Sequence, residues 1–384
     1  MSDIMDAGTA IAQFHALFDQ RFDAVRTLSE NGHRVAAHVG GDVPAELLIA
    51  CGYVPVELCG DPKGDAETGD RLLGAMADGK TRSILHRLLE GANGPLDQLI
   101  IGRDSELLVR LFYIIRALRK IEPDQVAAVP ERVHFFDLLH GPHRSSGLYN
   151  RVRGRALLKL LETWSGRPVA EASLRQAIIQ CNVNRRLLQQ VTALRRQRPA
   201  RLTGADALAI SSSARFMPRE QHSLLVSALL DTASGFPKLD GKRLFMTGSA
   251  HDSLDIYRAI EKAGAIIVGE DFDWGDRGSA LLVEEGAADP LDAVIDRYHF
   301  APPASAKFSA VARARYTAEQ ARQAGADAVV CFIYNGDPAP RWDVPLQRDA
   351  LGSIPLLLID NQDYGGVDTQ SLYDAVTDFI AQFA

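Results

Sequence analysis

Cysteine is scarce in this 384-residue sequence: there are four, Cys51, Cys59, Cys181 and Cys331, and no two stand at CxxC spacing. A chain of this length builds a core without disulfide staples, so the four read as small buried hydrophobes. Long apolar runs are lacking too, and none approaches the roughly 18 residues of a membrane span. Positive charge is in deficit, with 42 Lys and Arg against 49 Asp and Glu, so no global footprint for nucleic acid exists. The opening MSDIMDAGTA has no basic-then-apolar signal pattern, and a cytoplasmic protein is expected. Nucleotide and hydrolase fingerprints are missing: MTGSAHDS (246–253) is neither GxGxxG nor a Walker loop, and no GxSxG or HExxH occurs. What is present is ordinary globular composition, 46% hydrophobic and 24% charged, with apolar mass for two or three domains.

Residues 9–31 show a broad apolar helical face through Phe14, Leu17, Phe18, Phe22, Val25 and Leu28. Short buried-strand runs follow at 34–40, 53–58, 96–102 and 133–139, with helical patterns at 43–52 and 105–120. In the first of these helices Asp42 suits a cap and Pro44 a first turn. From Asn150 to about Leu230 helical periodicity dominates, and its many basic residues read as a solvated face. Alternation resumes with strand patterns at 242–250, 265–273, 326–335 and 355–363. The expected fold is α/β: two Rossmann-like lobes with mainly parallel sheets, joined by a helical segment. The expected parts are a helical arm (1–32), a first lobe (33–150), a helical connection (151–235) and a second lobe (236–384).

In open α/β sheets ligands bind beyond the carboxyl ends of the strands. That rule selects Gly40-Gly41, Gly102-Arg103-Asp104, Thr247-Gly248-Ser249 and Asn335-Gly336-Asp337-Pro338, whose loops are expected to open toward one interlobe crevice. The Gly248-Ser249 turn reads either as a structural turn or as a ligand contact. His140 and His143 share a loop, but no third ligand stands nearby, so no metal site is expected.

Several segments, in this order, resemble one family, the 2-hydroxyacyl-CoA dehydratases and benzoyl-CoA reductases. They are VPAELLIACGYVPVELCG (43–60), TRSILHRLLEG with LDQLIIGRDSELLVRL, and the helical ETWSGRPVAEASLRQAIIQCNVNRRLLQQVTALRR. KRLFMTGSAHDSLDIYRAIEKAGAIIVGEDFDWGDRG and ADAVVCFIYNGDPAPRWDVPLQRDALGSIPLLLIDNQDY complete the set, and the resemblance spans about residues 35–380. It implies a paired-subunit acyl-CoA enzyme, a lyase or an oxidoreductase of anaerobic metabolism. A 4Fe-4S cluster and an ATP-dependent iron–sulfur activator would supply one low-potential electron.

The sequence departs from that family where the chemistry sits. The three positions that resemble its cluster-binding cysteines are Asp78, Arg103 and Gly336. Thiolates are the normal ligands of such clusters, Arg carries a fixed positive charge and Gly has no side chain. The expectation is therefore no cofactor on this chain and a cluster on a homologous partner subunit, the two forming a heterodimer. A cluster held instead by Cys51, Cys59 and Cys331 is the other arrangement open to it. Arg103 either pairs with Asp104, Asp337 or Asp78, or binds a ligand anion. The resemblance makes Glu46 a candidate catalytic residue, against the plain reading of a first-turn helix carboxylate. Arg103, Asp104, Ser249 and Asp337 are the candidate substrate contacts. The aromatic and apolar group Leu111, Phe112, Tyr113, Phe135 and Phe136 is either core or the partner-facing surface. A non-catalytic scaffold, assembly factor or binding protein that kept the fold is the competing function.

Overall fold

The computed structural model describes residues 7–383 except 75, 142 and 305–307. Two four-stranded sheets organise it. The first contains β1 (Val35–Val39), β2 (Val54–Glu57), β3 (Gln98–Gly102) and β4 (Arg132–Phe136), in the order β2-β1-β3-β4. The second contains β5 (Lys242–Gly248), β6 (Ala265–Glu270), β7 (Ala328–Tyr334) and β8 (Leu356–Gln362), in the order β6-β5-β7-β8. Every pairing is parallel. The two halves are thus α/β lobes of the same strand order. Strands β1, β3 and β7 are buried at every residue, because helices cover both faces of a parallel sheet.

In the first half, helices α1 (Ala7–Asp19), α2 (Ala24–Glu30), α3 (Ala45–Ala50), α4 (Glu67–Leu73), α5 (Gly79–Leu89) and α6 (Glu106–Ile121) flank the strands. Four helices form the middle: α7 (Arg144–Ser165), α8 (Glu171–Arg196), α9 (Gly204–Ser213) and α10 (Arg219–Asp231). The second half adds α11 (Leu254–Lys262), α12 (Asp276–Ser279), α13 (Pro290–His299), α14 (Ala310–Gln323), α15 (Ala339–Leu351) and α16 (Thr369–Ala381). None of the described helices is long and apolar enough to cross a membrane. Helix α3 begins at Pro44 without a side-chain cap; Asp42, expected there, pairs with His140 at 3.1 Å instead.

One apolar cluster runs from Phe14 and Phe18 of α1 through Leu99 and Ile101 of the first sheet and Leu208 and Ile210 of α9 to Leu244, Met246 and Val330 of the second. A second cluster packs α3, α7, α8 and α13 together around Leu47, Leu157, Ile178 and Ile295. Helix α13 comes late in the chain yet lies on α7, and Gly154 permits it: a Cβ there would stand 2.4 Å from Ile295 Cγ1. The aromatic group weighed as a partner surface is mostly core. Leu111 and Phe136 are fully buried, Phe112 and Phe135 pack on the main cluster with ring centroids 5.2 Å apart, and only Tyr113 is exposed.

Helix α8 has no Gly or Pro in 26 residues, Glu171 in its first turn and Arg195 and Arg196 in its last. Its basic residues are not all solvated as expected. Arg195 is buried and forks onto Glu270 at the end of β6, at 2.7 and 2.5 Å, with Asp276 at 2.6 Å. Arg185 turns inward to Glu46. Removing the Arg195 guanidinium leaves buried Glu270 without a cation, although Asp276 keeps Arg196 at 2.8 Å, so Arg195→Ala should cost about 3–5 kcal/mol, read by urea unfolding. A loss under about 1 kcal/mol would contradict the burial of this network.

Candidate functional site

The order of each sheet reverses between β1 and β3 and between β5 and β7, and at such switch points the strand-end loops diverge to leave room for a ligand. The four loops singled out from sequence stand at these two points. In the first lobe Asp104 closes the gap: its carboxylate accepts from the backbone N–H of Gly41 and, at 3.1 Å, from that of Asp42. In the second, Ser249 Oγ donates to Asp337 at 2.7 Å and accepts from the N–H of Tyr334 at 3.1 Å. Burial pushes the Asp337 carboxyl up to about 6. Asp104, Ser249 and Asp337 are thus each engaged by their own loops.

The carboxyl ends of the two sheets face each other. A Cβ on Gly41 would lie 3.0 Å from Asp273, beyond β6, and one on Gly79 would lie 2.6 Å from Tyr364, beyond β8. Between them is a cavity of about 100 Å³. His38 and Glu57 line it from the ends of β1 and β2; Arg185, Arg215 and Arg219 from the helical middle; Asp273, Arg277 and Arg297 from the second half. Three of these arginines are neutralised. Arg185 holds Glu46 at 2.5 Å, Arg277 holds Asp273 at 2.7 Å, and Arg215 pairs with Glu57, whose other oxygen accepts from Trp274 Nε1 at 3.2 Å.

Glu46 stands behind this wall. Its second oxygen accepts from the Tyr298 hydroxyl at 3.0 Å, and that hydroxyl accepts from the N–H of Ala45 at 3.1 Å. Burial alone would raise its carboxyl, but Arg185 and Arg297 outweigh burial and hold it below the usual range. Arg215 and His38 do the same for Glu57. His38 donates from Nδ1 to the Gly40 carbonyl at 3.1 Å, and burial pushes its imidazole down to about 4, so it is neutral near pH 7. The wall therefore presents fixed charge and a neutral imidazole. Sequence reasoning found Glu46 but missed the arginines opposite, because basic residues on a helix usually point to water.

The three positions that resemble cluster ligands do not form a donor set. Gly336 lies on the backbone of Ala77-Asp78: a Cβ there would stand 2.6 Å from Asp78 N, and its φ of +83° disfavours any side chain. Asp78 caps α5, accepting from Thr81 N and Oγ1 at 2.8 Å. Arg103 pairs with Asp137 at 3.0 Å, a partner not among those weighed from sequence. Cys51, Cys59 and Cys331 are buried in three different apolar clusters. Burial pushes the Cys51 thiol up to about 12 and that of Cys59 to about 11. Among the described residues no three His, Cys, Asp or Glu side chains converge as a metal site. These donors do not fit a four-iron cluster, which needs converging thiolates.

Beside Gly79 the lobes are joined by a polar seam. Lys80 lies 3.4 Å from buried Asp252, which also accepts from the Tyr364 hydroxyl at 2.8 Å. Next to it His251 is fully buried among the rings of Phe272, Phe332, Tyr334 and Tyr257. Neither of its ring nitrogens has a hydrogen-bond partner among the described residues.

Two parallel α/β lobes of like strand order, facing each other across an arginine-lined crevice that a helical middle closes, define the class of protein. The 2-hydroxyglutaryl-CoA dehydratase D-component family model matches residues 41–382, and the chain belongs to that family. It is 26% identical over 343 residues to the (R)-phenyllactyl-CoA dehydratase beta subunit of Clostridium sporogenes, covering 88% of each chain. It is 26% identical to a benzoyl-CoA reductase subunit of Thauera aromatica, over 70% of this chain and 69% of that one. To the lactoyl-CoA dehydratase subunit beta of Anaerotignum propionicum it is 23% identical, over 79% of each.

Burial, with Lys80 adding to it, pushes His251 down to about 3. The unfolded chain binds a proton here below about pH 6.5 and the folded protein does not until about pH 3, so acid favours unfolding across that window. His251→Phe removes this uptake. At pH 4.5 the variant should gain about 2–3 kcal/mol on the wild type relative to their difference at pH 7.5. Urea unfolding at both pH values reads it, and an unchanged difference would contradict a buried neutral His251.

Proposed function

We propose that this chain is one subunit of an acyl-CoA dehydratase or aromatic acyl-CoA reductase complex. Its partner is a homologous subunit that carries the 4Fe-4S cluster, supplied with electrons by an ATP-dependent iron–sulfur activator. The chain itself holds no cluster and contributes one wall of the acyl-CoA crevice. The observation that carries this reading is the family match over residues 41–382, together with relatives named as subunits of acyl-CoA enzymes. The absence of thiolates at Asp78, Arg103 and Gly336 supports a cluster on the partner instead.

Within that complex the chain's residues hold charge and exclude water. Glu46, saturated by Arg185 and Tyr298, is a positioning residue that fixes Arg185 in the wall; a carboxylate held this low is a poor proton acceptor near pH 7. Asp104, Ser249 and Asp337 shape the loops that border the crevice, and Arg103 with Asp137 braces the first of them.

Anaerobic co-expression with a cluster-bearing homologue tests the proposal. The two chains should co-elute in equal amounts, and turnover of an acyl-CoA should require both and the activator. A monodisperse monomer that turns over acyl-CoA alone would overturn it. Glu46→Gln in the complex should lower kcat/KM about 10-fold or more by releasing Arg185, with no shift of the pH optimum. A shifted acidic limb would instead make Glu46 a proton-transfer group.

A further inference from the structure

Arg219 is the exception among the lining arginines. It is the first residue of α10, and its guanidinium makes no hydrogen bond or ion pair with any described residue; its Nη1 is wholly buried. Burial pulls its pKa down, and Arg215 and Arg185 add to that pull against the opposing Cys181 thiol. Among the described residues Arg297 has no carboxylate at ion-pair distance either; it donates to the carbonyls of Gly278 at 2.7 Å and Leu281 at 3.3 Å, and feels Glu46 and Asp273 only as more distant charges. Five arginines surround the cavity, and the carboxylates that meet them are Glu46, Glu57 and Asp273. Two positive charges are left over in a space partly removed from water. A desolvated guanidinium without an acceptor is costly, and a fold keeps one where something else supplies the acceptor.

We propose that the interlobe crevice binds an oxyanion, a carboxylate or phosphate-type group, through Arg219 with Arg297 as the second cation. The planar fork of Arg is suited to both classes. A cavity of about 100 Å³ has room for one such head group. The site belongs to this chain alone. It stands or falls separately from the proposed complex, because it is tested without a partner, an activator or turnover.

The test uses the isolated full-length chain at low ionic strength, titrated with inorganic phosphate or glutarate against chloride at matched ionic strength. Saturating oxyanion should raise Tm by about 2–5 °C over chloride, with a matching calorimetric isotherm. Arg219→Gln should weaken binding at least 10-fold and, in chloride alone, should melt above the wild type, because it removes an uncompensated charge. Arg219→Lys, which keeps the charge without the fork, should bind with intermediate affinity. Phosphate active with glutarate silent assigns a phosphate-type group, and the reverse assigns a carboxylate; either supports the site. No stabilisation of the wild type by either anion would overturn it. So would Arg219→Gln binding as tightly as the wild type. Should Arg219→Gln fail to fold, the wild-type titration and Arg219→Lys decide.

Discussion

Helix α8 carries two buried guanidinium–carboxylate pairs, one to each lobe, and the relation of the lobes depends on them. Arg185 reaches Glu46 in the first turn of α3, and Arg195 reaches Glu270 at the end of β6. Ten residues of helix separate the two by about 15 Å, so a single rigid element fixes the distance between a helix of one lobe and a strand end of the other. Buried pairs of this kind add little net stability over apolar packing, but losing one partner is severe. What they contribute is geometry: the carboxyl ends of two parallel sheets are held face to face, with a narrow polar space between them.

The character of that space is cationic. Each carboxylate that meets it is already committed to an arginine, and the one imidazole on its wall is kept neutral by burial. Where the sequence resembles a cluster site, the protein is closed instead. Gly336 sits against the turn before α5, Asp78 serves as a cap, and the remaining thiols are dispersed through the core. Both regions lie at the carboxyl ends of the sheets: the strand-end loops at the switch points are packed shut, while the space beyond β1, β2 and β6 is left open and charged.

Much of the fold was legible because parallel strands buried on both faces leave short continuous apolar runs, and VAAHV, QLIIG and AVVCFIY are of that kind. The four strand-end loops were legible for the same reason, since each begins where such a run stops at a glycine or asparagine. Glu46 was reached through resemblance. The direction in which a helical arginine points was not legible: Arg185 and Arg186 are neighbours in sequence, yet one is buried against Glu46 and the other pairs with Glu285 in a much more exposed bridge. Pairings across the chain set that difference, and no local pattern encodes them. The same holds for Arg103, whose partner Asp137 lies on the neighbouring strand's loop, and for Phe112 and Phe135, which find each other across α6 and β4.

On the proposed reading, this chain kept the two-lobed frame of its family while giving up the metal. The most direct measurement is iron and acid-labile sulfide counted on the anaerobically purified chain and on its complex with a cluster-bearing homologue. None is expected on the chain alone, and four of each per pair. Eight per pair, or four on the isolated chain that vanish when Cys51 or Cys331 is replaced, would contradict it.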